Sequence, residues 1–354
     1  MLNIITLKVL SLFSGIGAFE FVFNLLKELL NIDIEVTGYS EIDKSAIKTY
    51  EKNFPGVPNL GDIRKIDTSK LEDFEILVGG SPCQDFSVSG KRKGLKGERG
   101  SLFFEFLRIL KDKKPKFFIF ENVKGLVSQN KGKDFETILN DLENAGYQVK
   151  YKVLNSKNFG LPQNRERVFI IGQRKDLGEF NYELPINNGS NNVLLKDIID
   201  NEFDEKYTKH IEIIKKLYLG KRDDQRCEHE DNICHCLMNS GTWKWIVLNK
   251  DKEFVRKYNG RKLNLEELNN VKARQLTPEE YERIQGFPTG FTSGVSDSRR
   301  YSLIGNSIAI NVLYEVCNSL FIYIKDNKKL ETKNNETNLE RYKKSENKFI
   351  TSIL

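Results

Sequence analysis

Short apolar, β-prone runs alternate with longer amphipathic stretches through the first half of the chain. KVLSLF (8–13) reads as a strand, Ser14-Gly15-Ile16-Gly17 breaks it, and AFEFVFNLLKELL (18–30) carries apolar residues at helical spacing. The same alternation predicts a second strand over Ile34 to Tyr39, ending in Ser40-Glu41-Ile42-Asp43, and a short third strand ahead of Gly61-Asp62-Ile63. FEILV (74–78) has the look of a buried strand and is broken by Gly79 and Gly80. A helix follows in LFFEFLRILKDKK (102–114). Ser101 can cap it, Leu102, Phe103, Phe106, Leu107 and Leu110 form its apolar face, and Pro115 stops it. Strands are then expected at Lys116 to Phe120, Tyr147 to Leu154 and through VFIIG (168–172), with a helix over Asp134 to Ala145. Strand and helix in alternation define an α/β protein with a doubly wound, mostly parallel sheet.

That pattern stops near residue 173. Asparagine clusters and a basic stretch with Trp243, Trp245, Arg256, Lys257, Arg261 and Lys262 replace it up to residue 272, and this segment is expected to form a second, smaller domain. Order returns from 273 to 325. Thr277 caps a short helix with Pro278 at its first position, Glu280 completing a capping box and Gly286 ending it; a last helix is expected over Ile308 to Tyr323. The expected organisation is a catalytic domain over 1–173, an inserted domain over 174–272, a return to the first domain over 273–325 and a polar, mobile tail over 326–354.

Charge and cysteine content narrow the function classes. The 354 residues carry a net charge of +6, which is compatible with a nucleic-acid partner. Five cysteines, odd in number and sparse, argue against a disulfide framework and for a reducing compartment. No apolar run approaches membrane-spanning length and the N-terminus lacks the features of a signal peptide, so a cytoplasmic protein without membrane contact is expected.

The candidate chemistry centres on GGSPCQDFSVSG (79–90). Cys83, at the mouth of a strand, is either a nucleophile or an inert buried thiol. The glycine turn lacks the third glycine of a dinucleotide fingerprint, because Glu20 stands there, and no P-loop lysine follows. Glu41 and Asp62, acids at successive strand ends, suit a nucleoside without phosphates, such as S-adenosylmethionine; the alternative is that both are helix caps. SVSGKRKGLKGERGS (87–101) is either a basic closing loop or a solvated surface. Glu121 ends the strand next in sequence and could face the same crevice as Cys83. Arg165 and Arg167 are spaced to project from one side of an extended segment, as a clamp or as structural partners of Glu166. In CEHEDNICHC, Cys227, His229, Cys234, His235 and Cys236 are close enough to raise a metal site, but the spacing fits no conventional zinc pattern and no metal is expected.

In order and spacing, LFSGIGAFE, SEIDKSA, GDI, GGSPCQDFSVSGKRKG, ENVKG, QNRERVFIIG, RQLTPEEYERIQGFP and IGNSIAINV resemble the DNA (cytosine-5)-methyltransferases over residues 8 to 322, outside the region near 174 to 272. The resemblance implies the S-adenosylmethionine-dependent methyltransferase fold and a target-recognition role for the inserted domain. It implies that Cys83 adds to cytosine carbon-6, that Glu121 contacts the ring nitrogen N3 and the amino group, and that Arg165 and Arg167 support the base. It places Phe13, Ser14, Gly15, Ile16, Gly17, Glu41, Ile42, Asp62, Ile63, Pro82, Leu102 and Asn306 at the cofactor. It sets Gln84, Ser87, Lys91, Arg92, Lys93 and Arg99 against double-stranded DNA, from which the target cytosine is flipped out. Two positions depart from the family pattern: Ser81 precedes Pro82 where proline or phenylalanine is common, and Ile308-Ala309 replaces a frequent valine-proline. The expected protein is a monomer, linked in function but not in a stable complex to a restriction endonuclease. The rival readings are a tRNA cytosine-5 methyltransferase and an inactive DNA-binding relative.

Overall fold

The computed structural model describes residues 6–82, 101–186, 193–207, 228–229, 233–237, 245–247 and 273–331. Strand β1 (Thr6–Leu12) leads through the glycine turn into helix Ala18–Leu30; β2 (Asp33–Ser40) leads into helix Lys44–Asn53. Then come β3 (Ile76–Gly79), helix Ser101–Lys113, β4 (Phe117–Val123), helix Lys133–Asn144, β5 (Tyr147–Asn155), the short β6 (Gln163–Asn164) and β7 (Glu166–Arg174). Six of these strands form one sheet in the order β2-β1-β3-β4-β7-β5. Five run the same way. β7 is reversed and slots between β4 and β5, pairing antiparallel with both. The expected mostly parallel sheet is therefore present with one antiparallel strand.

Two departures from the sequence expectation bear on the acidic residues. No strand precedes Asp62: residue 59 makes a single bridge to Tyr39, flanked by Tyr39 N donating to Pro58 O (3.0 Å) and Leu60 N donating to Tyr39 O (2.7 Å). Pro55 and Pro58 have no N–H to contribute to a ladder, which limits the pairing to one residue. β4 also runs past Phe120 to Val123, because β7 pairs with it as far as Val123↔Arg167. Glu121 thus stands on a strand and not in a loop after one.

By their contacts the described residues fall into two compact units. The first holds the chain up to Asn155, from Glu166 to Ile186 and from Val312 onward; the second holds Ser156–Arg165 and the described residues from Val193 to Asn311. The core of the first unit is built on β1, β3, β4 and β7 under helix Ser101–Lys113, with Phe103, Phe106, Leu107, Leu110, Phe118 and Phe120 all buried. The second unit has its own cluster around Leu195, Leu237, Leu276, Tyr281 and Ile304, carried partly by helices Pro278–Gln285 and Asp297–Asn306. The capping box on Thr277 and Glu280 forms as the sequence predicts, with Gly286 left-handed at the helix end. Glu280 is fully buried and also takes both donors of the buried Arg274 (2.6 and 2.7 Å).

Helix Ile310–Glu331 starts later than expected and runs longer. By length and hydropathy the stretch Asp297–Asn327 is apolar enough to cross a membrane, against the expectation that no run approaches that size. It is two helices broken at Ser307, and 67% of its most apolar window is buried in the protein, the signature of core helices. The basic residues Arg256, Lys257, Arg261 and Lys262 lie outside the described residues.

Candidate active site

The glycine turn is shaped by three left-handed residues, Phe13 (φ 54°), Gly15 (φ 56°) and Gly17 (φ 89°). For Phe13 that conformation costs on the order of 1 kcal/mol, and the fold holds it there. Gly17 has a second requirement, since a Cβ on it would lie 2.3 Å from the Phe54 ring. Gly15 is different: a Cβ there would meet nothing within 4 Å, so its open side can admit a ligand. Ile16 is buried and Ser14 nearly so, its hydroxyl 2.9 Å from that of Ser11.

Glu41 closes onto this turn. One carboxylate oxygen accepts from Gly15 N (2.9 Å), and the other accepts from Ile42 N (2.7 Å) and Asp43 N (2.8 Å). The cap of helix Lys44–Asn53 is Asp43, not Glu41. Beside it Ile42 stands 65% exposed, an apolar side chain with a free face. Asp62 does cap a helix, the single turn Ile63–Lys65, and it also binds Arg64 through Nε and Nη2 (2.9 and 2.6 Å). The hydrogen bond from Arg64 holds the Asp62 carboxyl below the usual carboxylate range. Ile63 is buried in the first core. The set offers carboxylate acceptors for hydroxyl and amine groups and an apolar surface for a ring. S-adenosylmethionine fits those groups.

The second part of the site lies at the adjoining ends of β3 and β4. A Cβ on Gly80 would fall 2.9 Å from Glu121 Oε2, so any larger residue there has to displace that carboxylate. Ser81 is buried, and Asn122 Nδ2 donates to its carbonyl (3.3 Å) and hydroxyl (3.2 Å). The serine that departs from the family pattern therefore has a partner of its own. Pro82 is exposed and ends the described segment, while Leu102, partly buried, packs against the first core. Cys83, Gln84, Ser87, Lys91, Arg92, Lys93 and Arg99 lie outside the described residues.

Glu121 is 8% exposed and meets Arg167, whose Nε lies 3.2 Å from its Oε1. The strand register produces the contact. Glu121 faces Phe169 across β4 and β7, and Arg167, two residues from Phe169, projects to the same side of the sheet. Arg167 Nη1 also donates to the Glu166 carbonyl (2.8 Å), while the Glu166 carboxylate pairs with Lys124 (2.8 Å) and with neither arginine.

Arg165 belongs to the second unit. Buried to 3% exposure, it donates to Leu237 O (3.0 Å), Cys236 Sγ (3.3 Å), Gly305 O (3.2 Å) and Ser307 O (2.6 Å). These bonds tie β6, the 236–237 segment and the end of helix Asp297–Asn306 together. Asn306, the last residue of that helix, is exposed in the same unit. Cys234 is buried where β8 (Cys234–His235) pairs with β6, and among the described residues no group of three His, Cys, Asp or Glu side chains could hold a metal.

The model of the C-5 cytosine-specific DNA methylases matches residues 7–321. The chain is 37% identical over 329 residues to the type II methyltransferase M1.ScrFI of Lactococcus lactis subsp. cremoris, spanning 91% of this chain and 80% of that protein. It is 36% identical over 313 residues to the type II methyltransferase M.NlaX of Neisseria lactamica, spanning 88% and 96%. Its fold matches that of a mutant DNMT2 from Spodoptera frugiperda with a TM-score of 0.71, at 24% identity over 89% of this chain and 99% of the other. The chain belongs to the C-5 cytosine-specific DNA methylase family. It is a DNA (cytosine-5)-methyltransferase, and its substrates are DNA and a methyl donor.

Proposed function

We propose that the enzyme moves a methyl group from S-adenosylmethionine to carbon-5 of a cytosine flipped out of duplex DNA, through a covalent adduct on Cys83. The observation that carries this reading is the closeness of Glu121 to Gly80, three residues ahead of Cys83, with Arg167 on the same carboxylate. A carboxylate so placed can hold a proton at the cytosine N3 and accept from its amino group. Arg167 fixes its orientation and supplies positive charge near the base carbonyl.

The chemistry needs a nucleophile, because cytosine carbon-5 alone is a poor one. The Cys83 thiolate bonds to carbon-6, the ring double-bond electrons move toward carbon-5, and Glu121 offsets the charge at N3. The cofactor, when bound, supplies an electrophilic methyl on a sulfonium, which would bond to carbon-5 while the sulfur keeps the electrons of the broken bond and departs as a neutral thioether. Loss of the carbon-5 proton to water then re-forms the double bond and expels the thiolate. None of the ring atoms is reachable within a stacked duplex, so the base must leave the helix, and Gln84, Ser87, Lys91, Arg92, Lys93 and Arg99 would face DNA while the basic loop closes over it.

Phe13 to Gly17, Glu41, Ile42, Asp62 and Ile63 would hold the cofactor, Glu41 at the ribose and Asp62 at the adenine, with Pro82, Leu102 and Asn306 adding contacts. Arg165, committed to backbone carbonyls, is proposed as a positioning residue, and Arg167 takes the place next to the base. The domain division at residues 173 and 272, the cytoplasmic location, the monomeric state and a functional partnership with a restriction endonuclease are part of the same reading. Labelled cofactor offered with duplex DNA and, separately, with tRNA tests it. Label entering DNA as 5-methylcytosine supports it; label entering only tRNA would replace it.

A further inference from the structure

Asn59 has an exposed side chain that bonds to both acid-bearing segments of the cofactor site. Its Oδ1 accepts from Gly61 N (2.9 Å) and Glu41 N (3.4 Å), and its Nδ2 donates to Glu41 O (3.3 Å). It continues, by side chain, the pairing that the backbone makes for only one residue between Tyr39 and the 58–60 segment. Gly61, left-handed at φ 72°, turns the chain just after it, and Ser40 Oγ holds the Gly61 carbonyl (2.7 Å). Beyond the turn the 3-10 helix is fixed from the other side. Arg108 Nη2 and Nη1 donate to Ile63 O (3.0 Å) and Ile66 O (3.2 Å), and Glu105 takes Arg108 Nε (2.9 Å).

We infer that Asn59 is a positioning residue for cofactor binding, which sets the spacing between Glu41 and Asp62 by bonding to the backbone on both sides. The inference rests on the proposal that these two acids hold S-adenosylmethionine. Exposed hydrogen bonds of this kind add little to global stability. Their effect falls on geometry, because a ligand bridging two carboxylates gains from both only when their separation is fixed beforehand. Asp62 cannot do this alone, since its oxygens are occupied by Arg64 and by its own helical turn. Nor can the Glu41 carboxylate, which is bonded to the glycine turn and to its own neighbours.

Calorimetry on the full-length enzyme with S-adenosylmethionine, joined to steady-state kinetics, tests the inference. Asn59→Ala should weaken cofactor binding about tenfold and raise the cofactor KM in parallel, with kcat at saturating cofactor within about twofold of the parent. The melting temperature without ligand should move by no more than about 2 °C, in keeping with the loss of exposed bonds only. Asn59→Asp, which retains both acceptor bonds, should recover part of the affinity. On a Glu41→Gln background the alanine change should cost less than about twofold, because Asn59 acts through Glu41. Wild-type affinity in Asn59→Ala, or a full tenfold loss on the Glu41→Gln background, would overturn the inference. Wild-type enzyme that binds no S-adenosylmethionine, or Glu41→Gln and Asp62→Asn variants that bind it normally, would overturn the cofactor reading and the inference with it.

Discussion

Arg167 reaches Glu121 diagonally across two antiparallel strands, with Nε 3.2 Å from Oε1 and both side chains largely buried. The contact exists because β7 runs against β4 and brings a residue two positions from the directly facing Phe169 onto the face that Glu121 occupies. A carboxylate on a strand and held by a guanidinium has little freedom to turn. That rigidity suits the role proposed for Glu121, meeting a flipped base in one orientation.

Replacing Arg167 with glutamine leaves that carboxylate without its ion pair. The turnover number for DNA methylation should fall by about 100-fold, in the range seen when one charge-stabilising group is lost from an active site. Cofactor affinity measured without DNA should stay within about twofold, since Arg167 lies apart from the glycine turn. An equal loss in both measurements would argue for general damage to the sheet.

Gly80→Ala should inactivate without unfolding. The added methyl would fall 2.9 Å from Glu121 Oε2, too close for the carboxylate to stay in place. Circular dichroism should remain native while methylation drops by more than about tenfold, the scale on which misplacement of a reacting group acts.

Glu20 gives a stability test with a defined sign. Its carboxyl is buried, and burial raises its pKa above the usual 4.5, outweighing the opposing influence of the Ser11 and Tyr50 hydroxyls beside it. An acid whose folded-state pKa is raised favours the folded protein at low pH, where both states are protonated. The penalty begins as pH rises past about 4.5, where the unfolded chain ionises and the folded one does not, and grows until the folded carboxyl ionises too. Glu20→Gln should therefore raise the melting temperature at pH 7 relative to the parent, with the difference shrinking toward pH 4. A difference independent of pH would contradict the assignment.

Arg165→Met should act on stability first. It removes the donor shared by the carbonyls of Leu237, Gly305 and Ser307, and the buried acceptors left behind cost roughly 1–3 kcal/mol each unless water reaches them. The variant should melt early in thermal denaturation. A variant with wild-type melting and no activity would return Arg165 to the base itself.

The strands, the glycine turn and the position of Glu121 were legible in the sequence because apolar period and glycine breaks are local signals. The separate partners of Arg165 and Arg167 were not. Spacing puts both on one side of an extended segment, yet the chain breaks between β6 and β7, and the two guanidinium groups find partners in different units. Asn59 left no local mark either. Its role depends on a loop lying beside the end of β2, where the apolar pattern predicted a short strand and the two prolines leave a single bridge.

Duplex DNA carrying 5-fluorocytosine at the target position tests the covalent step proposed at Cys83. Fluorine on carbon-5 cannot leave as a proton does, so the sulfur–carbon bond formed during methyl transfer should persist. Mass spectrometry of the full-length enzyme with this DNA and S-adenosylmethionine should show one methylated oligonucleotide joined to the chain through Cys83, and none with Cys83→Ser. A stable adduct on a different residue, or fluorinated DNA methylated and released without any adduct, would contradict the account.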